Sequence, residues 1–307
     1  MTPTFSVIIP TYNRPRHVSG CLRALTQQNY PRHQFEVIVV DDGSLEPLDR
    51  AVDPYRGRLT VTLLRQRNAG PGAARNMGAS VARGEYLAFT DDDCRPQGDW
   101  LRRLDTAFGT NAARMIGGRT VNRLSRNCYS AASQLILDVV YTFYNRDPRA
   151  ARFFASNNVA MPKRMFDAVG GFDSGFFRAA SEDREFCDRW RMQGYAMAYD
   201  PEAVIQHLHQ LTLRTFCKQH FTYGRGALRY HAVRARRGSG RMRDDLPFHT
   251  QLLRNLRGPF SRMRPNRAVR MIALLALWQL VNAAGFAYER LCAMGSPRFR
   301  GAELARR

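Results

Sequence analysis

The feature of this chain that most constrains its fold is a repeated order of short apolar runs, polar loops and helical patterns. Apolar runs at residues 6–9, 36–40, 59–64 and 86–90 have the length and composition of strands that are buried on both faces. Helical patterns separate them at residues 18–25, 46–56 and 72–81. Strands that alternate with helices through short loops predict an α/β fold built on a parallel sheet.

Three of the predicted strands end in loops that carry polar side chains. The first runs into Pro-Thr-Tyr-Asn at residues 10–13, the second into Asp-Asp-Gly-Ser at 41–44, and the fourth into three aspartates at 91–93. Because ligands of such sheets bind beyond the carboxyl ends of the strands, we expect these loops to converge on one ligand. Three adjacent carboxylates repel one another and favour a bound cation, although an acidic surface turn or a helix N-cap at Asp93 would also explain the triplet.

Two common nucleotide-binding motifs are excluded. The segment GPGAAR at residues 70–75 has two glycines of a dinucleotide fingerprint, but Arg75 stands at the third position and the segment does not follow the first strand. No GxxxxGK[ST] segment occurs. The sequence therefore predicts neither a Rossmann dehydrogenase nor a P-loop protein.

Five segments of the chain occur together in a recognisable order: SVIIPTYN at residues 6–13, VVDDGS at 39–44, NAGPGAARN at 68–76, DDD at 91–93 and SED at 181–183. Together they resemble the inverting family 2 glycosyltransferases of GT-A fold, over residues 5 to about 210. The resemblance implies an α/β fold with a Rossmann-like mixed, mostly parallel sheet flanked by helices. It also implies transfer of a sugar from a nucleotide-diphosphate donor to an acceptor hydroxyl, with a divalent metal and inversion at the anomeric carbon.

The resemblance assigns several of these residues to the donor. Pro10 and Tyr12 would line the base and ribose pocket, and Asp42 would accept a hydrogen bond from a ring N–H of the base. A carboxylate that only accepts favours uracil-like or guanine-like edges over adenine, and UDP is the commoner donor in the family. Arg75 would meet the nucleotide or its phosphates. The residues alone also allow Asp42 to start an Asp-Gly turn and Arg75 to be a solvated helix charge.

The acidic triplet resembles the DxD element of the family. In that element Asp91 or Asp92 would contact the ribose, and Asp93 would ligate a metal that bridges the two phosphates. Oxygen ligands and a diphosphate fit Mg²⁺ or Mn²⁺ better than zinc. His207 is a candidate for a third protein ligand, with a loop histidine near the phosphates as the alternative.

The acceptor side of the site would contain a base. Inversion in a single displacement requires a group that takes the proton from the acceptor hydroxyl, and the resemblance gives this role to Asp183. Glu182 would contact the sugar or hold a neighbour, and Asn157 and Gly171 would belong to the acceptor-side segments. Ser181 is predicted to cap a helix over residues 181–193, in which case the carboxylates could serve the helix dipole alone.

The charge of the chain is unevenly distributed. Its net charge is +21, and the region from His207 to Arg270 contributes +13, with 15 basic residues and two acidic ones. So basic a region needs an anionic partner or strong solvation. A nucleic-acid-binding protein is one alternative, but the region has no RNP, zinc-finger or helix-turn-helix pattern, and we expect no nucleic-acid partner. A scaffold that binds sugar nucleotides without turnover is another, which the joint presence of Asp42, Asp93 and Asp183 argues against.

The C-terminal part of the chain predicts contact with a membrane. We expect a catalytic domain at residues 1–210 and a basic helical region at 211–307. An uncharged run at 271–288 is flanked by arginines that include Arg270, Arg290, Arg298 and Arg300. This run could lie in the interface of an anionic membrane, span a bilayer, or pack as a soluble helix. The first two alternatives predict a lipid-linked or membrane-presented acceptor, whereas a soluble enzyme could use a free glycan.

The compartment follows from two further observations. The first predicted strand begins at Phe5, which leaves no room for a signal peptide, and the six cysteines form no CxxC pair. We therefore expect a cytoplasmic protein at the inner face of the cell membrane.

Overall fold

The strands and helices follow the predicted order in a computed structural model, which describes residues 2–176 and 181–295. The strands are β1 (Phe5–Thr11), β2 (Phe35–Asp41), β3 (Val61–Arg65), β4 (Tyr86–Thr90), β5 (Cys94–Pro96), β6 (Arg114–Asn122), β7 (Asn158–Pro162) and β8 (Ala196–His207). The helices are α1 (Pro15–Leu25), α2 (Asp49–Val52), α3 (Pro71–Val81), α4 (Trp100–Thr110), α5 (Cys128–Tyr144), α6 (Lys163–Val169), α7 (Glu182–Met192), α8 (Leu213–Arg237), α9 (Leu246–Ser261) and α10 (Pro265–Gly295). Residues 296–307 of the predicted C-terminal region, with Arg298 and Arg300, lie outside the described residues.

The described residues form two compact units. The first contains the residues up to Ser125 together with Val140–Gln210. The second contains Arg126–Val139 together with the residues from Leu211 onward. The strands listed above all belong to the first unit, and α8, α9 and α10 belong to the second.

The strands form one mixed sheet in the order β3-β2-β1-β4-β7-β6-β8-β5. The pairs β3–β2, β2–β1, β1–β4 and β6–β8 are parallel, whereas β7 is antiparallel to both of its neighbours and β5 is antiparallel to β8. The α/β class and the mixed, mostly parallel sheet expected from the sequence are confirmed.

The segment SNNVAM at residues 156–161 predicts a strand at an edge of the sheet, and this prediction is wrong. The strand, β7, lies inside the sheet between β4 and β6. The reason is Asn158, whose side chain is fully buried and bonded. Its Oδ1 accepts from Trp100 Nε1 at 2.9 Å, and its Nδ2 donates to the carbonyls of Arg119 and Ala203. A polar residue is thus satisfied inside the sheet, where composition alone predicts an edge.

The two faces of β1 are covered by different helices, which explains its continuous apolar run. Val7 and Ile9 belong to the buried cluster that α1 and α4 also supply, with Leu22 and Trp100 among its members. On the other face α3 approaches so closely that a Cβ on Gly78 would lie 2.6 Å from Cγ2 of Ile8. Because both faces of β1 are buried, its register against the neighbouring strands is fixed. The carboxyl ends of the parallel strands therefore meet at one edge of the sheet.

In the second unit, α8 and α10 cross at glycines. A Cβ on Gly224 of α8 would collide with the carbonyl oxygen of Asn282, and one on Gly285 of α10 would collide with that of Phe221. Arg225 Nε donates to Glu289 Oε2 at 2.7 Å beyond this crossing. The two backbones therefore touch directly, as small residues allow.

Helix α10 has one packed and one exposed apolar face. By length and composition, its residues Pro265–Met294 could cross a membrane. The buried side chains follow helical spacing at Met271, Leu274, Leu275 and Trp278. The exposed face carries apolar residues as well: Val269, Ile272, Leu280, Leu291 and Met294.

We expect Gly224→Ala to destabilise the protein, because the new Cβ has no room against the backbone of α10. Overpacking of this kind costs about 1–3 kcal/mol, more than the gain of about 0.5–1 kcal/mol that alanine brings to a helix. The melting temperature of the full chain, followed by far-UV circular dichroism, measures the effect. Gly109→Ala in α4, where a Cβ meets open space, is the matched control and should be neutral or stabilising. Equal melting temperatures for the two variants would contradict the close crossing.

Candidate functional site

The three carboxylates of the acidic triplet lie at the turn between β4 and β5, and each has a different partner. Asp91 Oδ1 accepts from Arg75 Nη2 at 2.9 Å. Asp92 Oδ2 accepts from the hydroxyl of Thr11, the last residue of β1, at 2.7 Å. Asp92 and Asp93 are buried, so the triplet is part of the protein interior at the carboxyl edge of the sheet and not an acidic surface turn.

Asp93 is held from the far part of the sheet. Its Oδ1 lies 3.1 Å from Nε2 of His207, the last residue of β8, which pairs with Cys94 of β5. Burial alone would raise the pKa of Asp93, but the hydrogen bond and charge of His207, together with Arg14, hold that pKa well below its usual range. In return, burial would lower the pKa of His207, but Asp93 raises it.

A residue that the sequence analysis did not select also contacts the triplet. Arg14 Nη1 lies 3.2 Å from Asp92 Oδ1 and 3.1 Å from Asp93 Oδ2. Burial and the charge of Asp93 nevertheless raise the pKa of Asp92 to about 6. The sequence signal that could have identified Arg14 is its position directly after the predicted ligand loop at residues 10–13.

The donor atoms around Asp93 fit a divalent cation. Side-chain ligand atoms of Asp93, Cys94 and His207 lie within 4.8 Å of one another. Burial and the carboxylates of Asp93 and Asp91 raise the pKa of the Cys94 thiol well above its usual value, and a hard cation prefers oxygen and imidazole ligands to sulfur. A carboxylate that stays ionised and an imidazole remain, a set that suits Mn²⁺ or Mg²⁺ once phosphate oxygens complete it.

Arg75 connects the triplet to helix α7. Its Nη2 donates to Asp91, and its Nη1 donates to Glu182 Oε1 at 3.1 Å. The side chain is only 4% exposed and lies over the ring of Phe172, with 5.5 Å from Cζ to the ring centroid. Its Nε is buried without a hydrogen-bond partner among the described residues. Arg75 is therefore a buried bridge, not the solvated helix charge that the sequence also allowed.

Asp183 lies beside this bridge at the start of α7. Burial and the neighbouring Glu182 raise the pKa of Asp183 to about 7, although its Oδ1 accepts from the Arg184 amide at 2.8 Å. Ser181 occupies the N-cap position, but it has a left-handed backbone with φ of 72° and its side chain makes no capping hydrogen bond. The predicted side-chain cap is thus absent.

The residues predicted to meet the base are held by the loops after β1 and β2. Pro10 is buried within β1, and Tyr12 is 46% exposed. Asp42 is buried, and its carboxylate ties down the loop before α3. Its Oδ1 accepts from Gln66 Nε2 and the Ala69 amide, and its Oδ2 accepts from the Gly70 amide.

The two further acceptor-side residues have partners of their own. Asn157 is buried, and its Oδ1 accepts from the Thr120 hydroxyl at 3.2 Å. Gly171 lies in a turn after α6 with φ of 66°, where its carbonyl accepts from Arg189 Nη2. The structure thus forms two groups of contacts that meet at the acidic triplet: Arg75 joins Asp91 to Glu182, and Arg14 and His207 hold Asp92 and Asp93. Asn157 and Gly171 are fixed next to other elements.

We expect Arg75→Met to destabilise the fold, because it leaves Glu182 buried without its counter-charge and Asp91 without a partner. Breaking a buried ion pair by removing one member costs about 3–5 kcal/mol. Urea denaturation of the full chain measures the change, with Arg56→Met as the control. Arg56 pairs with Asp53 at the surface, where both side chains are about half exposed, and its loss should cost under about 1 kcal/mol. A cost for Arg75→Met as small as that of the control would contradict a structural role of the bridge.

Comparison with known proteins places this site in a family. The family model described as Glycosyl transferase family 2 matches residues 6–182. Glycosyltransferase AglE of Haloferax volcanii is 37% identical over 166 residues, which cover 53% of this chain and 48% of that protein. Chondroitin synthase of Pasteurella multocida is 30% identical over 216 residues, 59% of this chain and 22% of the synthase. The chain thus spans about half the length of the first relative and under a quarter of the second.

Solved structures share the fold. The mannosyltransferase PcManGT from Pyrobaculum calidifontis, in complex with GDP-Man and Mn²⁺, aligns with a TM-score of 0.63 at 22% identity, over 98% of this chain and 83% of that one. Residues 1–349 of TarS from Staphylococcus aureus, in complex with UDP-GlcNAc, align with a TM-score of 0.53 at 16% identity, over 90% and 81% of the two chains. The GT-A type fold is confirmed, and because the family model covers more than half of the residues, the chain belongs to glycosyltransferase family 2.

Proposed function

We propose that this protein transfers a sugar from a nucleotide-diphosphate donor to an acceptor hydroxyl with inversion, and that Asp183 is the base. The observation that carries the proposal is the chain of contacts from Asp91 through Arg75 to Glu182, at 2.9 and 3.1 Å. It ties the donor-side triplet to the helix that carries Asp183. A donor and an acceptor bound on either side of this bridge would meet beside that carboxylate.

The environment of Asp183 suits a base. A single displacement needs a group that accepts the proton from the attacking hydroxyl, with a pKa near the working pH. Burial and Glu182 raise the pKa of Asp183 to about 7, into that range. Glu182 is committed to Arg75 and is therefore a positioning residue for both Arg75 and Asp183.

On the donor side, we assign Asp93 and His207 as the protein ligands of Mg²⁺ or Mn²⁺, and Asp91 and Asp92 to the ribose end of the donor. When bound, such an ion would offset the negative charge that develops on the departing diphosphate. The bound Mn²⁺ in the mannosyltransferase of the same fold supports this assignment.

The base of the nucleotide would be read by Asp42, with Pro10 and Tyr12 beside it. A carboxylate has about four acceptor positions, and three protein donors occupy three of them. One position on Oδ2 remains for a single ring N–H, which uracil and guanine offer and adenine does not. Neighbours of the same fold bind UDP-GlcNAc and GDP-Man, and we favour a UDP sugar as the donor.

We also propose that the second unit, with the rest of the 211–307 region, binds the inner face of the cell membrane. The catalytic domain at 1–210 would then act on a lipid-linked or membrane-presented glycan acceptor. The exposed apolar face of α10 supplies the contact, with Leu280 70% and Leu291 67% exposed. The arginines of the same unit would meet anionic lipid head groups.

Packing within the unit argues for an interfacial position of α10 over a bilayer span. Trp278 lies near His220, and Tyr288 lies near Phe221 and Arg225, so α8 accompanies α10 along its uncharged run. A span would carry Arg225 and the nearby Lys218 into the hydrocarbon, with Glu289, the partner of Arg225. Each buried charge costs about 2.5–3.5 kcal/mol there, whereas an interfacial helix leaves them in the head groups.

We expect Asp183→Asn to lose transfer by about 10²–10⁴-fold while it retains donor affinity, because only the proton acceptor is removed. In the wild type, kcat/KM should fall about tenfold per pH unit below pH ~7, since the base works only when it is deprotonated and burial has raised its pKa. Release of nucleoside diphosphate from a panel of UDP and GDP sugars with Mn²⁺ measures transfer, and NMR of the product's anomeric proton tests inversion.

The control for this experiment is Asp167→Asn, which changes an exposed carboxylate on α6. It should leave both rate and pH profile unchanged. Near wild-type turnover of Asp183→Asn would refute the assignment of the base, and a product with the anomeric configuration of the donor would refute inversion.

We expect the full chain to float with vesicles that contain phosphatidylserine, and the double variant Leu280→Asp, Leu291→Asp to stay in the pellet fraction. Two carboxylates on the apolar face remove its burial in lipid and repel anionic head groups. Val81→Asp, Met192→Asp is the matched control, since both side chains are about half exposed on helices of the first unit. High salt should release the wild type from vesicles. Salt-resistant binding would favour a span, and equal flotation of both double variants would refute the membrane contact.

A further inference from the structure

Arg14 lies where one oxygen from each of two buried carboxylates converges. Asp92 and Asp93 each have one oxygen bonded to another element, to the hydroxyl of Thr11 and to His207 respectively. Their remaining oxygens, Asp92 Oδ1 and Asp93 Oδ2, both lie within 3.2 Å of the same nitrogen, Nη1 of Arg14. A single guanidinium nitrogen thus compensates the charge of both carboxylates, including Asp93, the proposed metal ligand.

The backbone at Arg14 is fixed, whereas its side chain reaches the site from solvent. Asn13 has a left-handed backbone with φ of 55°, its amide donates to Ser44 Oγ, and its Oδ1 accepts from the Leu45 amide. The Arg14 carbonyl accepts from the first amides of α1. The Arg14 side chain is 48% exposed, compared with 4% for Asp92 and 7% for Asp93. Its guanidinium can therefore leave the carboxylates without a change in the fold.

From this geometry we propose that Arg14 is an internal counter-cation that competes with the divalent metal for Asp93, while Asp92 holds the guanidinium beside it. The inference rests on the proposed metal site and deepens it. While Arg14 is on the carboxylates, their charge is already compensated, and a metal alone gains little from binding to them. A nucleoside diphosphate would change the balance, because its phosphates add ligands for the metal and negative charge that offsets the guanidinium. Arg14 thus makes metal binding depend on the donor.

The metal affinity of the full chain, measured without turnover, tests this proposal. Free Mn²⁺ is followed by electron paramagnetic resonance during titration with Mn²⁺ alone, and then with Mn²⁺ in the presence of UDP or GDP. Arg14→Gln should bind Mn²⁺ alone about tenfold more tightly than the wild type, which corresponds to a unit charge beside a divalent ion near the protein surface. The gain in Mn²⁺ affinity that the nucleotide brings should shrink by the same factor.

Four further variants complete the experiment. Arg14→Lys keeps the charge and should behave as the wild type, whereas Arg23→Gln, in the last turn of α1, removes a distant charge and should change nothing. Arg14→Met repeats the measurement if the glutamine variant does not fold. Asp93→Ala should lose the site, and retained Mn²⁺ binding there would refute both the metal assignment and the role of Arg14.

The outcomes separate this inference from the proposed function. If Arg14→Gln binds Mn²⁺ alone no more tightly than the wild type, the counter-cation role is wrong even when the enzyme transfers sugar. If neither UDP nor GDP strengthens Mn²⁺ binding to the wild type, the coupling to the donor is wrong. Failure of the Asp183→Asn experiment would instead overturn the assignment of the base and leave the result for Arg14 standing.

Discussion

The buried guanidinium of Arg75 is the interaction on which the site depends. It joins α3 to the turn after β4, 16 residues away, and to the start of α7, 107 residues away. Two carboxylates would repel each other at this spacing without a positive charge between them, so Asp91 and Glu182 can approach only because Arg75 is there. This arrangement has a cost, because the guanidinium and both carboxylates lose contact with water. Each Nη of Arg75 bonds one carboxylate, and its buried Nε has no partner among the described residues.

The three adjacent aspartates become chemically different through their partners. Asp91 faces a buried arginine, Asp92 accepts from a hydroxyl and has its pKa raised to about 6, and Asp93 faces an imidazole and has its pKa held low. Opposite shifts at adjacent carboxyls follow from what each side chain contacts, since burial is similar for Asp92 and Asp93. Of the two buried members, Asp93 therefore holds its charge more firmly than Asp92, which suits a hard metal ligand.

The sequence predicted β1, β2 and β4 because their apolar runs are buried on both faces, and β4 has the expected bounds. Strand β3 was also predicted, but it lies at the edge of the sheet and is only partly buried. It also placed the polar loops at one edge of the sheet, since parallel strands expose their carboxyl ends together. The position of β7 was not predictable, because it depends on hydrogen bonds from Asn158 to strands distant in sequence. The contact of Arg14 was not predicted for a similar reason. A basic residue at the end of a loop is usually solvated, and only the fold brings Asp92 and Asp93 next to it. Motif order identified Asp42, but only the structure shows how much of its carboxylate the protein already uses.

The second unit illustrates how close backbone packing can leave a surface for a partner. Because Gly224 and Gly285 let α8 and α10 touch, the large side chains of α10 are divided between two faces. Met271, Leu274 and Trp278 fill the packed face, and Ile272 and Leu280 remain outside it. A soluble helix gains nothing from an apolar outer face, whereas burial in the head-group boundary returns about 25 cal/mol for each Å² of apolar surface. In the proposed membrane contact, the basic residues of α8 would set the depth, because charged side chains are costly in hydrocarbon. An enzyme held in this way would find a lipid-linked acceptor by diffusion in two dimensions, which is the advantage that the proposed membrane contact would give to transfer.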